Sequence, residues 1–460
     1  MNGNGTAADE TRSFGRSAGL LTIALGAAGF LIYLFFAIAS HTLDKDEYGE
    51  IVVLWSMVFV IGATLFRPVE QLLSRSLAEY EQLGEDTGHV LRVAAGIQAA
   101  VTALALAALL ALRGPIQDKL LSGGDVLFWV LLGALAGFGA AYFARGFLAG
   151  RRQFGLYSAL LLIESSSRLV FAVALAIGVA TSEDFVAIGI AIAPVAGLVV
   201  MPFALRRRRP PSAAEAPAIT PGVTAEPEFS LAHGGVFAAA VLLMMLSEQV
   251  LISSGALFVR AAEGAAAAGF IFNMLMVARA PLVLFQAIAA SMLPHLTRLR
   301  TRGDESGQDA FRMSVNTTLL MIAAFAGLTT LGVLLVGPQA MQLAFGDKFT
   351  YDRLGLSIVA VGMGFYLCGA ALNQAALAQG QARRAAIPWV VCAAAFVIWN
   401  LASPLDAYRT VEVGFAGAAA MLAGLLALLY ARPHPVAADA VEPGSAHEIE
   451  ARLAAADEIG

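Results

Sequence analysis

The chain has 460 residues, of which 58% are hydrophobic and 14% charged, too apolar for an ordinary soluble domain, where roughly 45–50% of residues are apolar. Its formal net charge is -5, and its basic segments carry no interleaved aromatics, so nucleic acid is not an expected partner. Lys45, Lys119 and Lys348 each follow an aspartate and the six histidines are scattered, which excludes a P-loop and a metal-ligand motif.

A bilayer core takes about 20 apolar residues per helix, and twelve such runs follow one another. They cover 18–40, 50–72, 90–112, 126–148, 156–178, 185–205, 232–258, 264–290, 314–336, 355–378, 386–403 and 411–431. The expected fold is an all-α integral membrane protein with about 12 transmembrane helices in two six-helix lobes around a central cavity. Residues 1–16 are an N-terminal tail and 17–205 the N-lobe. A linker at 206–229 opens with RRRRPP and holds five prolines, a composition that cannot stay helical. The C-lobe is 230–431, and 432–460 form a polar, acidic tail. The first run lacks a separate short apolar core and cleavage site and is expected to remain as a span. Cys368 and Cys392 fall inside neighbouring runs and read as packed thiols.

Basic residues alternate between the gaps. One side receives twenty: Arg12, Arg16, Arg67, Arg75, Arg92, Arg145, Arg151, Arg152, Arg206 to Arg209, Arg298, Arg300, Arg302, Arg312, Arg383, Arg384, Arg432 and Arg452. The other receives seven: Lys45, Arg113, Lys119, Arg260, Lys348, Arg353 and Arg409. By the positive-inside rule the first side is cytoplasmic, as are both termini. Arg168 and Arg279 belong to neither set.

The two halves echo each other. LDKDEYG (Leu43 to Gly49) follows the first span and EGAAAAG (Glu263 to Gly269) the seventh, each setting a glycine at the outer start of the next helix. Twenty-six residues onward stand Arg75 in QLLSRSLAE and His295 in SMLPHLTRL. Span four ends in RGFLAGRRQF and span ten in ALAQGQARR. Same-orientation repeats of six spans imply two bundles with a cavity between them, as in transporters.

The DEYG start of span two, the FLAGRRQFGLY exit of span four and the LPHLTRL exit of span eight resemble the Wzx-like polysaccharide-biosynthesis flippases of the multidrug/oligosaccharidyl-lipid/polysaccharide superfamily. The resemblance covers roughly Phe14 to Arg432. It implies two six-helix lobes around a V-shaped cavity, and a secondary transporter moving an undecaprenyl-pyrophosphate-linked oligosaccharide to the outer leaflet of a bacterial inner membrane. The implied partners are a polyprenyl-pyrophosphate-linked glycan, membrane lipids and polysaccharide assembly proteins. The chain departs from that pattern in its many Ala and Gly positions, which leave few aromatic or polar sugar contacts within the spans.

Charges inside the spans are the candidate machinery. At about 1.5 Å per residue, Arg279 lies about 15 Å and Arg168 about 18 Å into the bilayer, and Arg67 about 27 Å from Gly49 near the inner face. Arginine at such depth should face a wet cavity or a partner, and its donor fork matches phosphate oxygens. Arg279, Arg168 and Arg67 are therefore the expected pyrophosphate contacts. Arg168 could equally pair with Glu164 four residues before it, and Arg67 with Glu70. Glu248, Glu164 and Glu70 are candidates for charge pairing or for coupling to inward Na⁺ or H⁺ movement; no cofactor or metal is expected. Pro281 and Pro294 are candidate kinks or hinges, as are Pro194 and Pro388. Two other readings stay open: a cation-coupled multidrug exporter of the same superfamily, and a membrane enzyme or non-transporting component of a polysaccharide assembly complex.

Overall fold

A computed structural model describes residues 3–84, 86–180, 182–206, 231–278, 305–379 and 381–431, and every regular element among them is helical. The N-lobe holds α1 (Gly3–Thr42), α2 (Lys45–Leu65), α3 (Arg67–Leu83), α4 (Gly88–Ala111), α5 (Arg113–Leu120), α6 (Asp125–Gly150), α7 (Phe154–Ala176), α8 (Glu183–Gly197) and α9 (Met201–Arg206). The C-lobe holds α10 (Leu231–Ser253), α11 (Gly255–Glu263), α12 (Ala265–Ala278), α13 (Glu305–Phe345), α14 (Arg353–Ala378), α15 (Ala382–Ala402) and α16 (Ala407–Ala431). Among the described residues ten spans are long and apolar enough to cross a membrane, and α10 with α11 make an eleventh that bends by 49°. The expected span 264–290 is described only as α12. The linker and the C-terminal tail from 432 lie outside the described residues.

Two spans depart from a regular helix, each for a local reason. Pro68 cannot donate a backbone hydrogen bond to the turn before it, so the ladder of span two is interrupted at Phe66 and α3 resumes with this proline in its first turn, the two running on as one 37-residue span, Lys45–Glu81. In span seven Ser254 turns its hydroxyl back onto the helix, its Oγ donating to the Val250 carbonyl at 2.5 Å, while Ser253 Oγ donates to the Gln249 side chain at 3.3 Å. Such back-bonding competes with the regular ladder and bends helices.

Each lobe is organised around its fourth span. α6 packs between α3 and α8, and α14 between α13 and α16. Their apolar windows are 67% and 61% buried, against 11% for α13, so the former are lobe centres and the latter faces lipid. Gly146 and Gly150 let α3 close on α6: a Cβ on either would stand 2.8 Å from Glu70 O or from Leu77 Cβ. The rotation of α3, and hence the direction of its polar face, follows from this contact.

The lobes meet chiefly where α2 crosses α10 and α11, and they are tied together at the arginine-poor end. Asp46 Oδ1 accepts from the Ala266 amide at 3.3 Å, Lys348 Nζ donates to the Leu43 carbonyl at 3.3 Å, and Arg260 donates to the Leu120 carbonyl at 3.0 Å and to Ser122 Oγ at 2.6 Å. The buried Tyr48 hydroxyl donates to Asn273 across the same seam. The echoing motifs thus pack on each other: Gly49 sits on the Ala265 backbone, and Gly269 on the Tyr48 ring. Asp44 and Glu47 of the first motif form a capping box that starts α2 at that point.

At the same end Arg409 of α16 bridges Asp352 at 2.7 Å and the buried Glu412 at 2.6 Å. The Tyr351 hydroxyl donates to Glu412, which straps the segment before α14 onto α16. Partial burial pushes the Asp352 carboxyl up, but hydrogen bonds from Arg409 and the Gly355 amide outweigh it and hold the group below the ordinary aspartate value. Because the folded carboxyl titrates below the unfolded one, its stabilising contribution is complete above the ordinary aspartate range and fades as pH falls through the lower folded value. Protection of the 346–354 amides, taken relative to the intrinsic exchange rate at each pH, is expected to fall at acid pH, and Asp352→Asn to produce the same loss of protection at neutral pH. Unchanged exchange in that variant would rule the strap out.

Candidate functional site

A cavity of about 610 Å³ opens between the lobes, lined by α1, α2, α3, α6 and α7 on one side and α10 on the other. α3 supplies its polar wall through Arg67, Glu70, Gln71, Ser74 and Arg75, a spacing that keeps all five on one helix face. The opposite face of α3 buries Leu73 and Leu77 completely.

The candidate residues separate by position. Arg67, Glu70 and Glu248 line this cavity, Arg67 and Glu70 from the N-lobe and Glu248 from the C-lobe. Tyr157 donates to Glu70 Oε1 at 3.0 Å, and Tyr366 donates to Glu248 Oε1 at 2.9 Å. Neither Arg67 nor Arg75 forms an ion pair with a described residue, and both side chains are exposed to the cavity. Glu248 is the carboxylate that the C-lobe contributes to the cavity that Arg67 lines from the N-lobe.

Arg168 and Glu164 stand behind the wall instead of on it. Arg168 is 1% exposed; its guanidinium lies 4.4 Å from the Trp55 ring centroid and pairs with Glu164 at 3.3 Å. Glu164 also pairs with Arg145, whose guanidinium covers the Tyr142 ring at 4.7 Å. One carboxylate therefore holds two guanidiniums and joins α6 to α7, while stacking on Trp55 carries the link to α2. Buried charge persists only when paired in this way. The helical ion pair is the arrangement found for Arg168, so it does not present its fork to the cavity. Arg279, Pro281 and Pro294 lie outside the described residues. Pro194 packs against the Gly137 position, and Pro388 lies inside α15.

Sequence reasoning passed over Arg145, Arg75 and Tyr157. Arg145 was grouped with the inner gap, yet it lies six residues before Arg151, about 9 Å deeper along the helix, and that offset marks it as intramembrane. Tyr157 closes the FLAGRRQFGLY motif. Arg75 carried no signal separating it from a topology-setting charge.

No protein-family model matches the chain. Uncharacterized proteins of Mycobacterium bovis and Mycobacterium tuberculosis are each 28% identical to it over 252 residues, covering 53% of this chain and 53% of the relative. The match thus spans about half the length of these curated relatives. Among solved structures, an inward-facing multidrug resistance MATE family transporter of the MOP superfamily superposes at TM-score 0.63, with 14% identity, over 87% of this chain and 93% of its own. The chain has the MATE fold. A mutant of the Vibrio cholerae MATE transporter VcmN superposes at 0.61 with 18% identity over 91% and 97% of the two chains. An outward-facing MATE transporter gives 0.58 with 14% identity over 90% and 94%. At such identities the likeness concerns the fold alone.

Tyrosine hydroxyls donate to one oxygen of each cavity carboxylate and Glu164 holds Arg145, while the guanidinium donors of Arg67 and Arg75 have no ion-pair partner among the described residues. Such donors accept phosphate or carboxylate oxygens in charge-assisted, bidentate geometry.

Proposed function

We propose that the protein is a secondary transporter that carries a pyrophosphate-linked oligosaccharide on a polyprenyl lipid from the inner to the outer leaflet of a bacterial inner membrane. The observation that carries this reading is Arg67, a guanidinium that faces the inter-lobe cavity and has no ion-pair partner among the described residues. It holds the pyrophosphate while the lobes rock. Glu248 and Glu70 are then the groups that answer to Na⁺ or H⁺, because a phosphate on Arg67 competes with the attraction of Glu248 and leaves that carboxylate in need of a cation. The arginine-rich end is cytoplasmic in this reading. The excess of arginine at that end supports this orientation.

The test is reconstitution into liposomes with a fluorescent lipid-linked oligosaccharide, read by its accessibility to an impermeant quencher. Removing a charge-assisted contact costs about 1.5–3 kcal/mol, so Arg67→Gln is expected to slow flipping roughly ten- to hundredfold, with membrane insertion unchanged. Wild-type rates in that variant would refute the assignment. The two cavity carboxylates favour one competitor, a multidrug exporter taking cationic substrates. Export of a cationic dye that survives Arg67→Gln and fails in Glu248→Gln would establish that reading in place of ours. No translocation of either cargo by the folded protein would point to a non-transporting role in polysaccharide assembly.

A further inference from the structure

Arg75 lies two turns beyond Arg67 on the same wall. Eight residues of helix separate them, about 12 Å along the axis. This exceeds the reach of a single pyrophosphate group and approaches the length of a pyrophosphate plus a sugar ring. Between them the wall offers Gln71 and Ser74, an amide and a hydroxyl able to donate to and accept from sugar hydroxyls. The cavity volume, about 610 Å³, lies within the ordinary range for a whole organic ligand, about 300–1,000 Å³, so the pocket has room for more than a phosphate group. The wall itself is fixed, since α3 is seated on α6 by the Gly146 and Gly150 contacts. Along it the chemistry runs cation, carboxylate, amide, hydroxyl, cation, with the Glu70 carboxylate accepting from the Tyr157 hydroxyl.

We propose that Arg75 is a specificity residue and that the carried unit bears a second negative charge one sugar away from its pyrophosphate, as a uronic acid or an acidic sugar substituent would. Arg67 takes the pyrophosphate, Gln71 and Ser74 take ring hydroxyls, and Arg75 takes the carboxylate. This rests on the phosphate-binding reading of the cavity. The register explains why α3 carries two arginines that no described acid neutralises: each is left for a different charge of the same ligand. A neutral sugar would leave Arg75 solvated and add nothing at that station.

The test uses the full-length protein in lipid nanodiscs and two soluble sugar pyrophosphates that differ by one carboxylate, uridine diphosphate glucose and uridine diphosphate glucuronate, with inorganic pyrophosphate as the third ligand. Calorimetric titration is expected to give at least about tenfold tighter binding of the glucuronate form. Arg75→Gln is expected to erase that preference while leaving the glucose form unchanged, Arg75→Lys to restore part of it, and Arg67→Gln to weaken all three ligands. Equal affinity for the two sugars, or a preference that survives Arg75→Gln, overturns the proposal and leaves phosphate binding standing. Failure of all three ligands to bind the folded wild-type protein removes the phosphate reading as well.

Discussion

Glu164→Gln is expected to destabilise the protein by about 3–5 kcal/mol, the range for removing one partner from a buried ion pair. Glu164 is 6% exposed and stands between Arg145, 8% exposed, and Arg168, 1% exposed. The neutral amide leaves the Arg168 guanidinium with no described counterion and Arg145 with only the more distant Glu70 carboxylate. Water cannot replace it cheaply at Arg168, whose other face is closed by the Trp55 ring. Thermal or denaturant unfolding in detergent measures the loss. Glu164→Gln combined with Arg168→Met should recover part of it, because the second change removes the orphaned charge. A loss below about 1 kcal/mol would place the triad with weakly contributing surface pairs and refute its structural role.

Gly49→Leu should drive the lobes apart at the arginine-poor end. Even a Cβ at this position would stand 1.9 Å from the Ala265 carbonyl oxygen and 2.2 Å from its carbon. Both are backbone atoms, so no rotamer relieves the clash. Since α2 must withdraw from α12, the Asp46, Arg260 and Lys348 bridges are expected to open with it. Overpacking of this kind costs about 1–3 kcal/mol or more, enough to move a two-state lobe equilibrium roughly tenfold or further. Spin labels at Asp118→Cys and Glu263→Cys, exposed positions on the two lobes near that end, with Cys368 and Cys392 replaced, should report a longer distance in the Gly49→Leu background. Transport should fall in parallel. An unchanged distance distribution would show that closure does not depend on this contact.

Much of the fold was legible because a membrane helix announces itself locally. Each span from Gly88 to Gly197 is found within a few residues of its expected limits, since an apolar run of sufficient length satisfies its own backbone hydrogen bonds in lipid. The irregularities in spans two and seven were less visible. Pro68 gave a cue that the apolar pattern around it masked, and the Ser253–Ser254 bend is sustained by packing of Gly255 against Val411, a contact remote in sequence. The site was legible in part: Arg67, Glu70 and Glu248 were identified, and the cavity brings them together. Of the two roles open to Arg168, the structure shows the Glu164 pair, which depth alone could not select because depth in the bilayer is one-dimensional. Depth said that Arg168 is central, but not which way it turns.

By itself the sequence located most of the apolar spans and several of the charges within them, since these follow from hydrophobic length and charge placement along one helix at a time. Only the tertiary structure decided which charges face the cavity and which are locked away. That depends on the rotation of each helix against its neighbours: the glycine face of α6 turns Arg67 and Arg75 of α3 inward, and Glu164 on α7 takes up both Arg145 and Arg168. A side chain's depth is fixed within its own helix, whereas its partner is chosen by the packing of all of them.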